Sequence, residues 1–192
     1  MRSIRSPLLA VVLLFAVLLL VAAPLLIRRS ILPAPVVDDS RLVEYRNPTL
    51  GFRTLRPEPW QVIEDHPQLI PQGQDILHAV AFVPNPDSKT IAIAYVQNLK
   101  TTQTLRAYAA QQREDLQKDS KVPFSELQPL KINGIDALAT EAIINADGEA
   151  RQHRVIMMLN GQRAYALVYV GPLSGTGPQR FQSMVDSFAF VQ

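Results

Sequence analysis

Histidines and carboxylates are the side chains of this sequence best suited to bind a metal ion, and three of them are adjacent. Glu64, Asp65 and His66 form the run EDHP, whereas the other two histidines, His78 and His153, lie farther along the chain. Three adjacent residues cannot converge on one ion without ligands from elsewhere. The pattern therefore favours a solvated loop, and we expect no metal and no other cofactor.

A glycine-rich segment, GPLSGTGP, precedes the last predicted helix, where backbone N–H groups can hold an anion. Its glycines are Gly171, Gly175 and Gly177. The lysine of a phosphate-binding loop is missing, and the glycine spacing is not that of a nucleotide-binding fingerprint. Ser174 is not framed as the nucleophile in G-x-S-x-G. We interpret the segment as a connection from a strand to a helix.

The sequence also does not single out a carboxylate pair for general acid–base catalysis. Glu114, Asp115 and Asp119 lie on the polar side of a predicted helix, without the apolar surroundings that separate two pKa values. The chain has three histidines and no cysteine, and no nucleophile–base motif is present. We expect a protein that is not an enzyme, with no catalytic residues and with binding residues that the sequence does not identify.

The single tryptophan follows two prolines in the stretch YRNPTLGFRTLRPEPW. Trp60 could stack on a ligand, but an aromatic residue at the start of a strand more often fills the core. We therefore predict a structural position for this indole.

The elements that carry these residues can be predicted from hydrophobic spacing. Strand-like runs lie at 51–56, 60–63, 76–83 and 90–96, and the last two are joined by the turn sequence PNPDSK. An amphipathic helix follows, because apolar residues recur at helical spacing in TTQTLRAYAAQQREDLQK between Leu105 and Leu116. Thr101, Thr102 or Thr104 would cap it.

Three turn dipeptides come next. Asn133-Gly134, Asp147-Gly148 and Asn160-Gly161 each separate two runs of alternating or β-branched residues. Such dipeptides accept the positive φ of tight hairpin turns. They predict a four-stranded antiparallel meander with strands near 124–132, 135–145, 150–160 and 162–170.

The last strand of this meander is apolar on both faces, so the sheet needs cover on both sides. Phe181, Met184, Val185 and Phe188 lie at i, i+3, i+4 and i+7, and Pro178 suits a first helical turn. The fold class predicted is α+β, a central antiparallel sheet with helices packed on it.

The N-terminal segment contains no charged residue from Ser6 to Ile27. Residues 7–27 are long enough to cross a bilayer as one transmembrane helix. A cleaved signal peptide is the alternative, because Val21 to Ala23 are small or accepted at cleavage sites, but Pro24 directly afterwards disfavours the cut. We predict an uncleaved single-pass signal anchor over 1–29.

Basic residues flank the anchor on both sides, so the charge bias that sets orientation is slight. We favour the N-terminus inside, which places the domain outside the cytoplasm, in the periplasm, at the cell exterior or in the thylakoid lumen. Without the four flanking arginines, Arg2, Arg5, Arg28 and Arg29, the chain has 15 basic and 17 acidic residues. The folded part thus lacks the basic surface that nucleic acid requires, and we expect no nucleic-acid partner.

Residues 30–44 contain two prolines and no sustained apolar period, which is typical of an extended tether. The domain is predicted to span residues 45–192. A length of 192 residues allows one such domain besides the anchor.

The order of these pieces resembles PsbP-like domains, which share a fold with Mog1-like domains. The resemblance is carried by YRNPTLGFRTLRPEPW, TLRAYAAQQREDLQ, LKINGIDALATEAII, AYALVYV and FQSMVDSFAF, and it spans nearly all of residues 45–190. It implies an α+β sandwich that serves as a non-catalytic binding or assembly module. No active site common to the family can be transferred to residues of this chain.

Two functions are therefore open. The first is a membrane-anchored extracytoplasmic binding or assembly module with a protein partner, which would use surface loops such as the polar segment 64–75. The alternative is a small-molecule or lipid-binding extracytoplasmic protein, which would need an apolar cavity between the sheet and the helix of Leu105 to Leu116.

Overall fold

The described part of the chain folds into two sheets and two helices. In chain order, the strands are β1 (Leu42–Asn47), β2 (Phe52–Pro57), β3 (Gln61–Glu64), β4 (Ile76–Val83), β5 (Ile91–Asn98), β6 (Gln128–Ile132), β7 (Ile135–Ala146), β8 (Glu149–Asn160), β9 (Arg163–Pro172) and β10 (Ala189–Phe190). Helix α1 (Leu105–Ser120) lies between β5 and β6, and helix α2 (Thr176–Ser187) lies between β9 and β10. The predicted α+β class is confirmed.

The structure is a computed structural model that describes residues 41–66, 69, 76–85, 88–146 and 148–191. The predicted membrane anchor and all but the end of the predicted tether lie outside these residues. Within the described ranges, the helices are all too short or too polar to cross a bilayer.

Seven antiparallel strands form the large sheet, in the order β3-β4-β5-β9-β8-β7-β6. Each strand pairs in antiparallel register with its neighbour. β1, β2 and β10 form a separate small sheet. The predicted central antiparallel sheet is therefore present, and its last four strands in sequence form the predicted meander.

β9 lies inside the large sheet and is buried on both faces. Every residue from Ala164 to Gly171 is buried. On one face, Ala164, Ala166 and Val168 join a core with Tyr108, Ala109 and Leu116 of α1 and their neighbours. On the other face, Tyr165, Leu167 and Tyr169 pack in a core with Phe181, Met184 and Val185 of α2. The prediction that both faces are covered is confirmed.

Each hairpin turns at its predicted glycine, but Asn160 pairs with Arg163 at the end of β8, so the last turn consists of Gly161 and Gln162 instead of Asn160 and Gly161. Asn133 and Gly134 have φ of 49° and 82°, and Gly148 and Gly161 have φ of 76° and 60°. Asp147 lies outside the described residues. These values are in the left-handed region, which glycine adopts without the penalty that a Cβ brings.

Helix α1 is capped by one of the three threonines that the sequence offers. Thr104 is its N-cap, and the Thr104 side chain accepts a hydrogen bond of 3.2 Å from the Ala107 backbone N–H. The helix ends at Lys121, whose left-handed conformation stops the helical path while its N–H donates to the Gln117 carbonyl.

Most strand boundaries differ from the prediction by one or two residues, and the larger differences concern β1, β6 and β10. β1 begins at Leu42, so residues 42–44, assigned to the tether, belong to the small sheet. β6 begins only at Gln128, because residues 124–127 contact β7 through isolated bonds such as Ser125 N–H to the Glu141 carbonyl at 2.8 Å. β10 has two residues, too few for an alternating pattern to be visible in the sequence.

The end of the chain is tied to β2 by side-chain hydrogen bonds. Thr54 Oγ1 donates to the Met184 carbonyl at 2.7 Å, and Leu55 N–H donates to Ser187 Oγ at 2.8 Å. Phe188, directly after α2, stacks on Phe52 with ring centroids 5.5 Å apart. The small sheet and α2 therefore cover the same face of the large sheet as one connected layer.

Replacing the turn glycines by valine tests the hairpin geometry. A Cβ at Gly134, Gly148 or Gly161 would meet nothing within 4 Å, so the penalty comes from the backbone conformation alone. Each variant should lower the free energy of unfolding by about 1–2 kcal/mol or more in urea denaturation. Ala150→Val, at an exposed position of β8, is the matched control and should unfold like the parent. Three glycine variants that also unfold like the parent would contradict the meander.

Candidate functional site

A hydrogen-bonded Asp–His pair lies where β3 ends beside β4. Asp65 Oδ2 lies 2.6 Å from His78 Nδ1, and Asp65 Oδ1 accepts a bond of 3.3 Å from the Ala79 backbone N–H. The Asp65 N–H donates to the Ala79 carbonyl at 2.9 Å. Asp65 adopts a positive φ of 48°, which turns the chain out of β3. Two carboxylate contacts and one backbone contact therefore fix Asp65 to β4, although 45% of its side chain stays exposed.

A tyrosine from the small sheet extends this group. Tyr45 Oη donates to Glu64 Oε1 at 2.7 Å and accepts from Asn47 Nδ2 at 3.0 Å. Its ring packs edge-on against Phe82 of β4, with centroids 5.2 Å apart. Burial raises the pKa of the Tyr45 hydroxyl above its usual value, so this group acts as a hydrogen-bond donor at neutral pH.

We call Tyr45, Asn47, Glu64, Asp65 and His78 the β3-edge patch. Two carboxylates and an imidazole meet there at the surface, held by strands of both sheets. Rigid backbone elements position the polar groups while leaving them open to solvent, as in many binding surfaces. The arrangement suits the recognition of basic or hydrogen-bond-donating groups on another molecule.

The patch is not arranged as a metal centre or a catalytic triad. In the part of the chain that the structure describes, no three histidine or carboxylate side chains converge to hold a metal ion. His66 is exposed, and Glu64 is engaged by Tyr45 rather than by His78. His78 hydrogen-bonds only to Asp65 among the described side chains, so no hydroxyl is poised as a nucleophile.

Trp60 occupies the core, as predicted. It is 3% exposed and packs in the same hydrophobic cluster as Phe52, Phe82 and Phe188. It lies in the turn just before β3, and its backbone carbonyl accepts a hydrogen bond of 2.8 Å from Arg56 Nη1.

The glycine-rich segment packs closely against the side chain of Tyr169. A Cβ on Gly171 would lie 2.5 Å from the Tyr169 hydroxyl oxygen, and one on Gly177 would lie 2.6 Å from it. That hydroxyl donates to the Pro172 carbonyl at 3.1 Å. Burial raises the pKa of Tyr169 to about 12. These contacts give Gly171 and Gly177 a packing role, consistent with a strand-to-helix connection.

The carboxylates of α1 are more buried than the sequence indicated. Asp115 and Asp119 are both half-buried, and burial raises the pKa of each. Gln111 Nε2 donates to Asp115 Oδ1 at 3.0 Å, while Glu114 is exposed. The two aspartates are one helical turn apart, where they flank the packed face of α1.

His153 is a buried histidine on β8, away from the β3-edge patch. It is 1% exposed, and neither ring nitrogen has a hydrogen-bond partner among the described residues. The Phe124 ring packs edge-on against it, with centroids 5.2 Å apart. Burial lowers the pKa of His153 to about 4, so the imidazole is neutral in the folded protein at pH 7. The structure thus brings His78, but not His153, to Asp65.

An open cavity of about 370 Å³ lies over β6, β7 and β8, beside α2. Its apolar surface comes from Leu130 and Ala139, and its charged groups are Glu141 and Arg154. No residue of α1 lines it, although the ligand-binding alternative placed a cavity beneath that helix. Sequence analysis identified neither charged residue, but the predicted meander makes β7 and β8 neighbours.

Comparison with solved structures identifies the fold. The cyanobacterial PsbP of Synechocystis sp. PCC 6803 is 12% identical, with a TM-score of 0.56 over 81% of this chain and 95% of that chain. LpqN of Mycobacterium tuberculosis, involved in cell envelope biogenesis, is 10% identical, with a TM-score of 0.50 over 83% and 97%. A protein of Bacteroides thetaiotaomicron is 14% identical, with a TM-score of 0.54 over 78% of this chain and 48% of that one.

The chain thus spans about half the length of the Bacteroides protein and nearly all of the other two. No family model matches the sequence, and no curated protein matches it. The layered α+β architecture and these three likenesses define the class of fold. The chain has the fold of these PsbP-like structures.

The pH dependence of the free energy of unfolding should show that the His153 imidazole is buried in its neutral form. Its pKa is about 4 in the folded protein against 6.5 in the unfolded chain, so the unfolded state binds the extra proton between these values. The contribution of His153 to the free energy of unfolding is therefore fully present above pH 6.5. It falls by about 3 kcal/mol as pH decreases towards 4.

His153→Leu should remove this pH-dependent part of the free energy of unfolding, because leucine does not titrate. We expect the parent to lose more unfolding free energy than the variant between pH 7 and pH 4 in matched urea titrations. The variant retains all the carboxylates, so it controls for their titration. Parallel pH profiles for the two proteins would show that His153 is not buried in the neutral form.

Proposed function

We propose that this protein is a membrane-anchored accessory or assembly module that binds a protein partner outside the cytoplasm and catalyses no reaction. The uncharged segment at residues 7–27 supports the anchor, and Pro24, directly after the possible cleavage site, supports its retention. The fold is shared with the cyanobacterial PsbP and with LpqN, which is involved in cell envelope biogenesis. These features together support a role in a membrane or envelope complex.

The observation that carries the proposal is the β3-edge patch. Its polar groups are fixed by hydrogen bonds of 2.6 to 3.3 Å, yet the Asp65 side chain is 45% exposed and the His78 side chain 34% exposed. Fixed and accessible polar groups lose little conformational entropy when a partner binds. The patch therefore provides a preorganised contact surface.

The negative charge of the β3-edge patch indicates which kind of partner surface would bind it. Glu64 and Asp65 are adjacent carboxylates, and neither has a lysine or arginine within 4.0 Å among the described residues. A partner surface with lysine or arginine side chains would supply the missing counter-charges. Glu64 and Asp65 are also the first residues of the polar segment 64–75, most of which lies outside the described residues.

Cross-linking on intact cells tests this function. Full-length protein is treated with a membrane-impermeant cross-linker that reacts with lysine, and the captured proteins are compared between the parent and the double variant Glu64→Gln, Asp65→Asn. We expect the parent to be labelled without lysis and to capture a partner that the double variant loses at least about tenfold. Both proteins should have the same expression level and melting temperature, because each amide keeps an oxygen acceptor.

Glu126→Gln is the matched control, because Glu126 is an exposed carboxylate in an ion pair of 2.7 Å with Arg113, away from the patch. It should capture the same partner as the parent. Equal capture by all three proteins would contradict docking at the β3-edge patch. Labelling only after lysis would instead contradict the extracytoplasmic location.

A further inference from the structure

Two opposite charges face each other in the cavity over β6, β7 and β8. Glu141 of β7 and Arg154 of β8 are register partners, so their side chains project from the same face of the sheet. Despite this position, their charged atoms lie farther apart than the 4.0 Å of an ion pair. The cavity therefore contains an acidic and a basic group that do not neutralise each other.

Each of the two charged groups is hydrogen-bonded to a neutral amide. Arg154 Nη1 donates to Gln182 Oε1 of α2 at 3.0 Å, and Gln152 Nε2 donates to Glu141 Oε2 at 2.9 Å. Among the described residues, the Nε and Nη2 groups of Arg154 and the Oε1 atom of Glu141 make no hydrogen bond. One guanidinium edge and one carboxylate oxygen remain available to a ligand.

The rest of the cavity is suited to a small apolar group. Ala139 is buried and Leu130 is half-buried, and both belong to the core region beneath α2. Ser125 and Gln128, at exposed positions, form part of the remaining lining. A volume of about 370 Å³ is at the small end of the range for ligand pockets, sufficient for one small molecule.

We propose that this cavity binds a free α-amino acid with an apolar side chain. The α-carboxylate accepts hydrogen bonds from Nε and Nη2 of Arg154, the α-ammonium donates to Oε1 of Glu141, and the side chain contacts Leu130 and Ala139. An arginine presents its donors in a planar fork that matches a carboxylate.

Other ligand classes leave one charge uncompensated. A simple anion is attracted by Arg154 but repelled by Glu141, and a simple cation meets the reverse. A neutral apolar molecule would desolvate both charges without replacing their hydrogen bonds, which is unfavourable. A zwitterion satisfies both groups at once. The site is on the opposite side of the fold from the β3-edge patch, so the inference does not depend on the proposed docking function.

Leucine and 4-methylpentanoate make a matched pair of probes, because the second has the same carbon skeleton and carboxylate without the ammonium. Isothermal titration calorimetry on the full-length protein in nanodiscs should show saturable leucine binding at micromolar to millimolar concentrations, and binding of 4-methylpentanoate weaker by at least about tenfold.

Variants of Glu141 and Arg154 test which charged group of the ligand each residue binds. Glu141→Gln should weaken leucine by about tenfold or more and strengthen 4-methylpentanoate, because the repulsive carboxylate is gone. Arg154→Gln should weaken both probes. Glu44→Gln, at an exposed carboxylate paired with Arg53 on β1, should leave both affinities unchanged.

Thermal melting of each variant checks that the fold is retained. The absence of saturable leucine binding to the folded parent would overturn the proposal. So would equal effects of Glu141→Gln on the two probes, because the carboxylate would then not distinguish the ammonium.

Discussion

Burial of β9 on both faces is the constraint on which the rest of the fold depends. Its apolar residues alternate between the α1 side and the α2 side, so neither layer can be removed without exposing half of this strand. A strand of this kind is stable only inside a sheet with cover on both sides. In the seven-stranded sheet, β5 and β8 lie on either side of β9 and place it inside the sheet.

The same constraint keeps the polar groups at the edges of the large sheet. Phe52 and Phe188 fill the layer beneath the small sheet, and Tyr45 reaches from that layer to Glu64 at the β3 edge. Towards the opposite edge, the cavity lined by Glu141 and Arg154 lies open beside α2. The packed centre thus supplies rigidity, while the two edges supply the chemical groups that can bind other molecules.

The sequence predicted the features that depend on local residue types. Asn133, Gly134 and Gly161 determine their turns because the required positive φ is a local property, and the apolar pattern on both faces of β9 predicts its cover. The Asp65–His78 pair could not be predicted, because it needs the register of β3 against β4. The cavity charges were missed for the same reason: Glu141 and Arg154 become neighbours only through the pairing of β7 and β8.

Native-state hydrogen exchange tests the central place of β9 most directly. We expect the amides of residues 165–169 to exchange only through global unfolding, with an exchange free energy equal to the unfolding free energy from denaturant titration. The amides of the edge strands β3 and β6 should exchange through smaller openings, with lower free energies. If the β9 amides exchanged more readily than those of β6, a fold organised around a double-buried central strand would be contradicted.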